Sequence, residues 1–297
     1  MPRTGTAIVF ATSLMVLMAS ACGGDGGSNG AAGDEPALKE ISAKDFDPGN
    51  FDSSTTIDNP WFPLTPGTQL VYEGSTREEG KRVPHRVAWT VTDLAKEVGG
   101  VRSVVVWDRD WRAGELQETE LALFAQDNDG NVWHLGQYPE EYEAGKFIAA
   151  PAWFHGLKRA RAGIAMKAHP RLGAPAYSQG FAPPPINWID RAEVHEVGTK
   201  TCVPVRCYQD VLVSREFEPD KPESYQLKYY ARGVGNVRVG WLGRKDEDRE
   251  VLVLVKVVHL DQQALAEVRK EALRLEEHAY EISKDVYGRT APSTPID

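Results

Sequence analysis

Eight runs of strand-forming residues constrain the fold of this chain more than any other feature. Apolar and polar residues alternate in most of these runs, as they do in half-buried β-strands. The runs begin at Thr68, His85, Val101, Leu116, Arg206, Glu223, Gly235 and Arg249. Short linkers carrying Gly, Asn, Asp or Pro separate most of them, and helical spacing is almost absent among them. The pattern predicts a mainly β fold in which an antiparallel sheet curls into a barrel or half-barrel.

Composition agrees with such a fold and limits the partners. A chain of 297 residues, 41% of them hydrophobic, can bury a substantial core. Eight tryptophans and nineteen prolines suit an aromatic-rich β protein with many turns better than a helical bundle. The formal net charge of −9 repels phosphate backbones, so we expect no nucleic-acid partner.

The N-terminus has the pattern of a targeting segment. Arg3 precedes an apolar run, Ala7–Met18, that is shorter than the roughly 20 residues a membrane-spanning helix needs. The small residues Ala19-Ser20-Ala21 then lead to Cys22. This end of the segment resembles the lipobox of bacterial lipoproteins, although that motif prefers Leu where Ala19 stands.

The lipobox resemblance implies that Cys22 is lipidated and anchors the protein in the cell membrane, facing outside the cytoplasm. An ordinary secretory signal cut after Ala21, which would leave a free thiol, is the alternative. The stretch that follows, Gly23–Gly33, is nearly all Gly, Ser, Asn, Ala and Asp and has too little apolar surface to fold. We therefore predict a signal peptide (1–21), a flexible tether (22–45), a β-rich domain (46–261), a helix (262–287) and a disordered tail (288–297).

Three segments of the β-rich part carry a wider resemblance. DNPWFPLTPGTQLVYEG (58–74), FAQDNDGNVWHLG (124–136) and KYYARGVGNVRV (228–239) resemble segments shared by a group of uncharacterised bacterial secreted proteins and lipoproteins. The resemblance implies a common mainly β domain. It implies no catalytic residue and no ligand.

The DNDG sequence within the second segment allows two interpretations. An EF-hand loop needs oxygen ligands at its first, third and fifth positions, Gly at the sixth and Glu at the twelfth. With Gly130 at the sixth position, Ala125 falls at the first and Gly136 at the twelfth, so two ligands are missing. We predict instead that Asn128-Asp129-Gly130 is a β-hairpin turn, and we predict no metal site and no cofactor.

Two of the three cysteines, Cys202 and Cys207, lie close together in the sequence and enclose VPVR. A metal site would need further cysteines or histidines at suitable spacing, and redox chemistry usually uses C-x-x-C. Outside the cytoplasm, a pair this close is expected to form a disulfide that clamps a loop between strands.

Four acidic residues are the strongest candidates for polar chemistry. Alternation places Asp108 with Asp110 on one face of a strand, and Glu118 with Glu120 on one face of the next. If the two strands pair through the turn at Ala113-Gly114, the four carboxylates converge as an acid–base or cation site. The alternative is a solvated polar face. The seven histidines show no metal or triad spacing, and G-x-S-x-G, P-loop and G-x-G-x-x-G motifs are absent, so we predict no catalytic residue.

Aromatic residues suggest a binding surface. Trp153 and Phe154 lie beside basic residues in the segment Ala150–Gly173, which is a basic patch on an acidic protein. Aromatic side chains could line an apolar pocket inside a curled sheet. The predicted ligand-facing residues are Trp107, Trp111, Trp133, Trp153 and Phe154. Ordinary core packing is the alternative for all five.

The C-terminal region, from Gln262, predicts an amphipathic helix. Its apolar residues alternate at spacings of three and four, which is typical of a narrow coiled-coil seam. The seam residues are Leu265, Val268, Ala272, Leu275, Ala279, Ile282 and Val286. This face either docks on the protein's own sheet or contacts a protein partner or a second copy.

Three functions remain compatible with the sequence. The leading hypothesis is a non-catalytic envelope protein that binds an apolar or amphipathic ligand, or a lipid, in an aromatic-lined concavity. An interaction or dimerisation protein that uses the helix 262–287 is the second. A cation-dependent hydrolase that uses the four carboxylates is the third.

Overall fold

The computed structural model describes residues 45–296 of the chain, so the predicted signal peptide, Cys22 and nearly all of the predicted tether lie outside the described residues. Sixteen strands and one α-helix form the described part. The first eight strands are β1 (Thr68–Glu78), β2 (Lys81–Val98), β3 (Val101–Arg112), β4 (Glu115–Gln126), β5 (Val132–Glu143), β6 (Lys146–Ala149), β7 (Trp153–Phe154) and β8 (Arg161–Met166). The others are β9 (Tyr177–Ser178), β10 (Gly180–Phe181), β11 (Arg191–Val203), β12 (Arg206–Phe217), β13 (Tyr225–Ala231), β14 (Gly235–Leu242), β15 (Val251–His259) and β16 (Thr294–Pro295), and the helix is α1 (Gln262–Ile282).

The strands form one antiparallel sheet in the order β10-β8-β5-β4-β3-β2-β1-β15-β14-β13-β12-β11-β9. The two strands at its edges, β9 and β10, are separated in the chain by Gln179 alone, so the sheet curls until its edges approach each other. Asp108 of β3 and Lys228 of β13 line the same cavity, although a flat sheet would hold these strands about 24 Å apart. The prediction of a mainly β fold with a curled antiparallel sheet is confirmed.

Helix α1 covers the outer face of the sheet, over β2 to β5. The side chain of Asp261 caps its first turn by accepting a hydrogen bond from the Ala264 amide (2.8 Å). Ala272, Leu275 and Ala279 pack in one cluster with outer-face residues such as Val105 and Leu121. Among the described residues, no helix is both long and apolar enough to cross a bilayer.

The C-terminal segment differs from its prediction. The helix ends at Ile282 rather than near residue 287, and a 3₁₀ turn follows at Tyr287–Arg289. The tail is docked as far as Ile296, because β16 pairs with β2 and the Ile296 amide donates to the Asp93 carbonyl (2.8 Å). The prediction of a disordered tail is therefore wrong for residues 288–296. Main-chain hydrogen bonds hold this segment together with the side chains of Lys96, Arg102 and Glu276, and these partners are distant in the sequence or give no local pattern.

Cys202 and Cys207 face each other across the turn of the β11–β12 hairpin and form a disulfide. Pro204, Val205 and Arg206 between them are exposed, whereas Val203 is buried. The bond therefore clamps the tip of a hairpin, which is the structural role that their spacing suggests.

Candidate functional site

The four predicted carboxylates come together on the inner face of the sheet, the face opposite α1. In the β3–β4 pairing, Asp108 stands directly across from Glu120, and Asp110 directly across from Glu118. The turn at Ala113-Gly114, where both residues adopt positive φ (50° and 87°), pairs Trp111 with Leu116. An irregularity between Asp110 and Trp111 then shifts the register by one residue and brings Glu118 opposite Asp110. Like charges at opposed positions are unfavourable, so the sheet tolerates two such pairs at a cost in stability.

An inner cavity of about 230 Å³ lies against these carboxylates. Asp108, Asp110, Lys228 and Glu250 form its charged end, and aromatic and aliphatic side chains form its apolar wall. The wall includes Phe62, Leu70, Val87, Trp89, Val239 and Leu252. One end of the cavity is therefore charged, and the rest of its wall is largely apolar.

A second, polar cavity of about 290 Å³ shares Gln226 and Glu250 with the inner cavity. Its lining includes Asp190, Glu216 and Arg112. Gln226 donates from Nε2 to Oε2 of Glu250 (2.5 Å), so this side-chain pair lies where the two cavities adjoin.

His85 contacts two carboxylates at the charged end of the cavity, those of Asp110 and Glu250. Its ring is buried, and its Nε2 lies 2.7 Å from Oδ2 of Asp110 while its Nδ1 lies 3.0 Å from Oε1 of Glu250. Hydrogen bonds to both carboxylates outweigh the effect of burial and raise the pKa of His85 to about 9, so the ring is cationic at neutral pH.

Lys228 is the other cation of this region. Its Nζ lies 2.7 Å from Oε2 of Glu216. Burial lowers the pKa of Lys228, but the charge of Glu216 and the hydrogen bond to it prevail and raise the pKa, as do Glu250 and Asp190. Lys228 therefore stays charged, and its charge is largely committed to Glu216.

Burial raises the pKa of the neighbouring carboxyl groups. The pKa of Asp108 rises to about 8, first because of burial and then because of the charges of Glu118 and Asp110. Burial and neighbouring carboxylates also raise the pKa of Glu118 to about 7 and that of Glu120 well above its usual range. At neutral pH, Asp108, Glu118 and Glu120 therefore hold protons that exposed Asp and Glu side chains release. The group can donate a hydrogen bond, supply a proton, or receive a cation while losing a proton.

The three segments singled out in the sequence meet beside the inner cavity. The Gly233 amide of the third segment donates to the Pro60 carbonyl of the first (2.7 Å), and Arg232 lies over the Trp61 ring. Asn59 donates from Nδ2 to the Gly130 carbonyl of the second segment (2.9 Å). Residues of the first and third segments form most of the cavity lining.

The loop of the first segment closes one end of the curled sheet. The ring of Phe62 packs against Phe124, Trp89 and Tyr230, with centroid distances of 5.3 to 6.4 Å. Tyr72, on the strand after the loop, donates from its hydroxyl to the Asn236 carbonyl (2.8 Å). The loop therefore serves as the floor of the inner cavity.

The predicted ligand-facing residues lie elsewhere. Trp133, Trp153 and Phe154 are packed in the core, each no more than 2% exposed. Trp107 and Trp111 lie on the outer face, where Arg109 covers the Trp107 ring at 4.0 Å. The prediction that these five residues line one concavity is therefore wrong. Strand alternation turns Trp107 and Trp111 away from the cavity, and Trp133, Trp153 and Phe154 pack in the core.

The basic segment Ala150–Gly173 borders a separate groove of about 480 Å³. Trp153, Leu157 and Ile186 contribute to its wall, and Arg159 lies at its edge. Lys158 forms an ion pair with Asp285, so part of the basic charge is already used within the chain.

The seam of α1 is largely occupied by the sheet. Ala272, Leu275 and Ala279 are buried there, as is Val286 beyond the helix end. Ile282 is 45% exposed. A partner that used this seam would have to displace the contacts that the helix makes with its own sheet.

Sequence reasoning missed several residues of the cavity. Trp89 and Tyr72 lie in runs that were predicted as strands, and alternation could have assigned their faces once one inner residue was known. Lys228 in β13 and Glu250, directly before β15, are distant from Asp108 in the sequence, and only the strand order brings them to the same cavity. Among the described residues, no group of three or more His, Cys, Asp or Glu side chains is arranged to hold a metal ion.

Two solved structures are similar to this chain. One, from Bacteroides fragilis, is described as an exported protein with a YmcC-like fold; it has 15% sequence identity and a TM-score of 0.39, covering 67% of this chain and 98% of its own. The other, from Parabacteroides distasonis, is described as a lipoprotein; it has 13% identity and a TM-score of 0.35, covering 67% of this chain and 99% of its own. No model of a known family and no curated protein matches this chain.

Proposed function

We propose that this protein is a lipid-anchored envelope protein that binds a small amphipathic molecule in the inner cavity. The observation that carries the proposal is the cavity of about 230 Å³, which combines an apolar wall with a charged end. Binding sites for small molecules are concave, mostly apolar and fitted with a few polar groups that orient the ligand. A function in the envelope agrees with the leader and with Cys22 at its end.

The cavity is tested with a fluorescent probe, N-phenyl-1-naphthylamine, and a variant that fills the space. The full chain carrying Cys22→Ser, which removes the lipid attachment, is the background. Leu252 is buried on the apolar wall, so Leu252→Phe is expected to weaken probe binding about tenfold or more by occupying the cavity.

Leu242→Phe is the matched control, because Leu242 is 39% exposed and lies outside the cavity. Thermal unfolding of both variants shows whether they keep the fold. Equal probe binding by a folded Leu252→Phe variant and the parent would refute binding in the inner cavity.

The anchor is tested separately. Cys22→Ser removes the thiol that would accept lipid, so the protein is expected to move from the membrane fraction to the soluble fraction and to lose incorporation of labelled fatty acid. The double variant Cys202→Ser/Cys207→Ser is the control and should still be labelled, since those thiols form the disulfide. A Cys22→Ser protein that remains in the membrane fraction would show that the anchor is assigned wrongly.

A further inference from the structure

We propose that the ligand of the inner cavity carries an ammonium group, held by the carboxylates of Asp108 and Asp110, with its apolar part against Trp89 and Leu252. This inference rests on the proposed function, since it names the ligand class of the same cavity. It follows from the charges, the unsatisfied acceptor and the aromatic rings around the cavity.

Negative charge predominates on the inner face around the cavity. Ten carboxyl groups lie there or on the adjoining polar cavity: Asp108, Asp110, Glu118, Glu120, Asp190, Glu216, Glu218, Asp246, Asp248 and Glu250. The cations among the same described residues are His85, Arg112, Lys221 and Lys228. Lys228 is paired with Glu216, and His85 is shared between Asp110 and Glu250. The charged end of the cavity therefore accepts a cation more readily than an anion.

One carboxylate oxygen of the cavity lacks a partner in the described structure. Oδ2 of Asp110 contacts His85, but Oδ1 is buried without a hydrogen-bond partner. Oδ1 of Asp108 accepts from the Arg109 amide (2.7 Å). A buried acceptor without a donor is costly, so an ammonium N–H group at Asp110 would supply the missing hydrogen bond, and a quaternary ammonium would supply the opposite charge alone.

Aromatic rings complete the recognition of a cation. Tyr72, Trp89 and Tyr230 line the same cavity as the two aspartates. Ammonium groups are attracted to the faces of such rings, and the attraction is stronger where water is excluded. An alkyl chain attached to the ammonium would contact Leu252 and Val239 on the apolar wall.

The same geometry couples binding to proton release. The groups that face Asp108 from other strands are Tyr72 of β1, Glu118 and Glu120 of β4, and Lys228 of β13, while Asp110 lies on its own strand and His85 and Glu250 lie beyond Asp110. Since burial and like charges raise the pKa of Asp108 to about 8, a bound ammonium favours the ionised carboxylate and expels the proton. Affinity for a permanent cation is thus expected to rise from pH 6 to pH 9.

Isothermal titration calorimetry on the Cys22→Ser background tests the inference with three octyl probes below their micelle concentrations. Octyltrimethylammonium is cationic at every pH, octyl glucoside is neutral and octyl sulfate is anionic. We expect the cation to bind about tenfold more tightly than the neutral probe at pH 8, as for an interaction with a charged group. Its affinity should rise with pH, and that of octyl glucoside should not.

Asp108→Asn and Asp110→Asn keep the shape of the side chains and remove the charges. Each is expected to abolish most of the preference for the cation, measured as the ratio of the octyltrimethylammonium and octyl glucoside affinities of the same variant. Glu277→Gln is the control. Glu277 is exposed on α1, so this substitution removes one negative charge, as the aspartate variants do, but far from the cavity.

The outcomes separate this inference from the proposed function. If octyl glucoside binds, is blocked by Leu252→Phe and matches the cation in affinity at every pH, the ammonium inference is overturned and the binding function stands. Retention of the cation preference in both aspartate variants overturns the inference as well. If none of the three probes binds, both proposals fall.

Discussion

Lys96 is a fully buried lysine that joins the sheet to the helix and to the C-terminal tail. Its Nζ lies 2.7 Å from Oε1 of Glu276 and donates to the Tyr280 hydroxyl and the Ala291 carbonyl. Glu276 in turn accepts hydrogen bonds from the amide and hydroxyl of Ser293. These contacts satisfy both charges, so the pair sets where α1 and the tail dock.

Glu276→Gln is expected to lower the free energy of unfolding by about 3–5 kcal/mol, because it leaves a buried lysine without its counter-charge. Urea unfolding at pH 7 measures the change. Glu277→Gln, one residue further along the exposed side of α1, should change the stability by no more than about 0.5 kcal/mol. A loss below about 1 kcal/mol for Glu276→Gln would show that Lys96 finds other partners.

Single residues also show what the sequence could and could not predict. Alternation alone places Asp108 and Asp110 on one face, and the structure agrees. The same rule puts Trp107 and Trp111 on the opposite face, so these two could not have shared a site with the aspartates. Whether Trp153 faces a ligand or the core depends on which distant strands cover it, and no local pattern carries that information.

At the scale of elements, the positions of the strands were predictable from the sequence. Which strands pair with each other in the sheet was not. The runs that begin at Thr68, Val101 and Arg249 correspond closely to β1, β3 and β15, because each presents an apolar side to the interior. The pairing of β1 with β15 joins residues almost two hundred positions apart. Such a pairing depends on how the whole sheet closes, which periodicity within a strand does not specify.

The fold of the whole molecule brings the three segments singled out in the sequence to one place. Segments 58–74, 124–136 and 228–239 were identifiable as sequence, but their contacts at the cavity floor arise only from the curl of the sheet. The cavity therefore belongs to the assembled sheet rather than to any one motif. The raised pKa values of Asp108 and Lys228 are equally a property of the assembly, since these residues come from separate strands, β3 and β13.

This electrostatic arrangement makes the stability of the whole protein depend on pH. Asp108, with its pKa raised to about 8, and His85, with its pKa raised to about 9, both hold more protons in the folded than in the unfolded chain. Stability gained from a raised pKa is complete below the unfolded value and is lost as the pH rises through the folded value. The buried His134 has its pKa lowered to about 4 and acts in the opposite sense, but only below its ordinary value of about 6.5.

The free energy of unfolding is therefore expected to fall from pH 7 to pH 9. Urea unfolding at constant ionic strength and at pH 7, 8 and 9 measures the fall. Asp108→Asn removes one titrating group and the repulsion on its neighbours, so the fall should be smaller in that variant, while Glu277→Gln should behave as the parent does. A stability that is constant or rises over this range in the parent protein would contradict the raised pKa values, because groups that release protons only on unfolding must lose their stabilising effect as the solution takes those protons away.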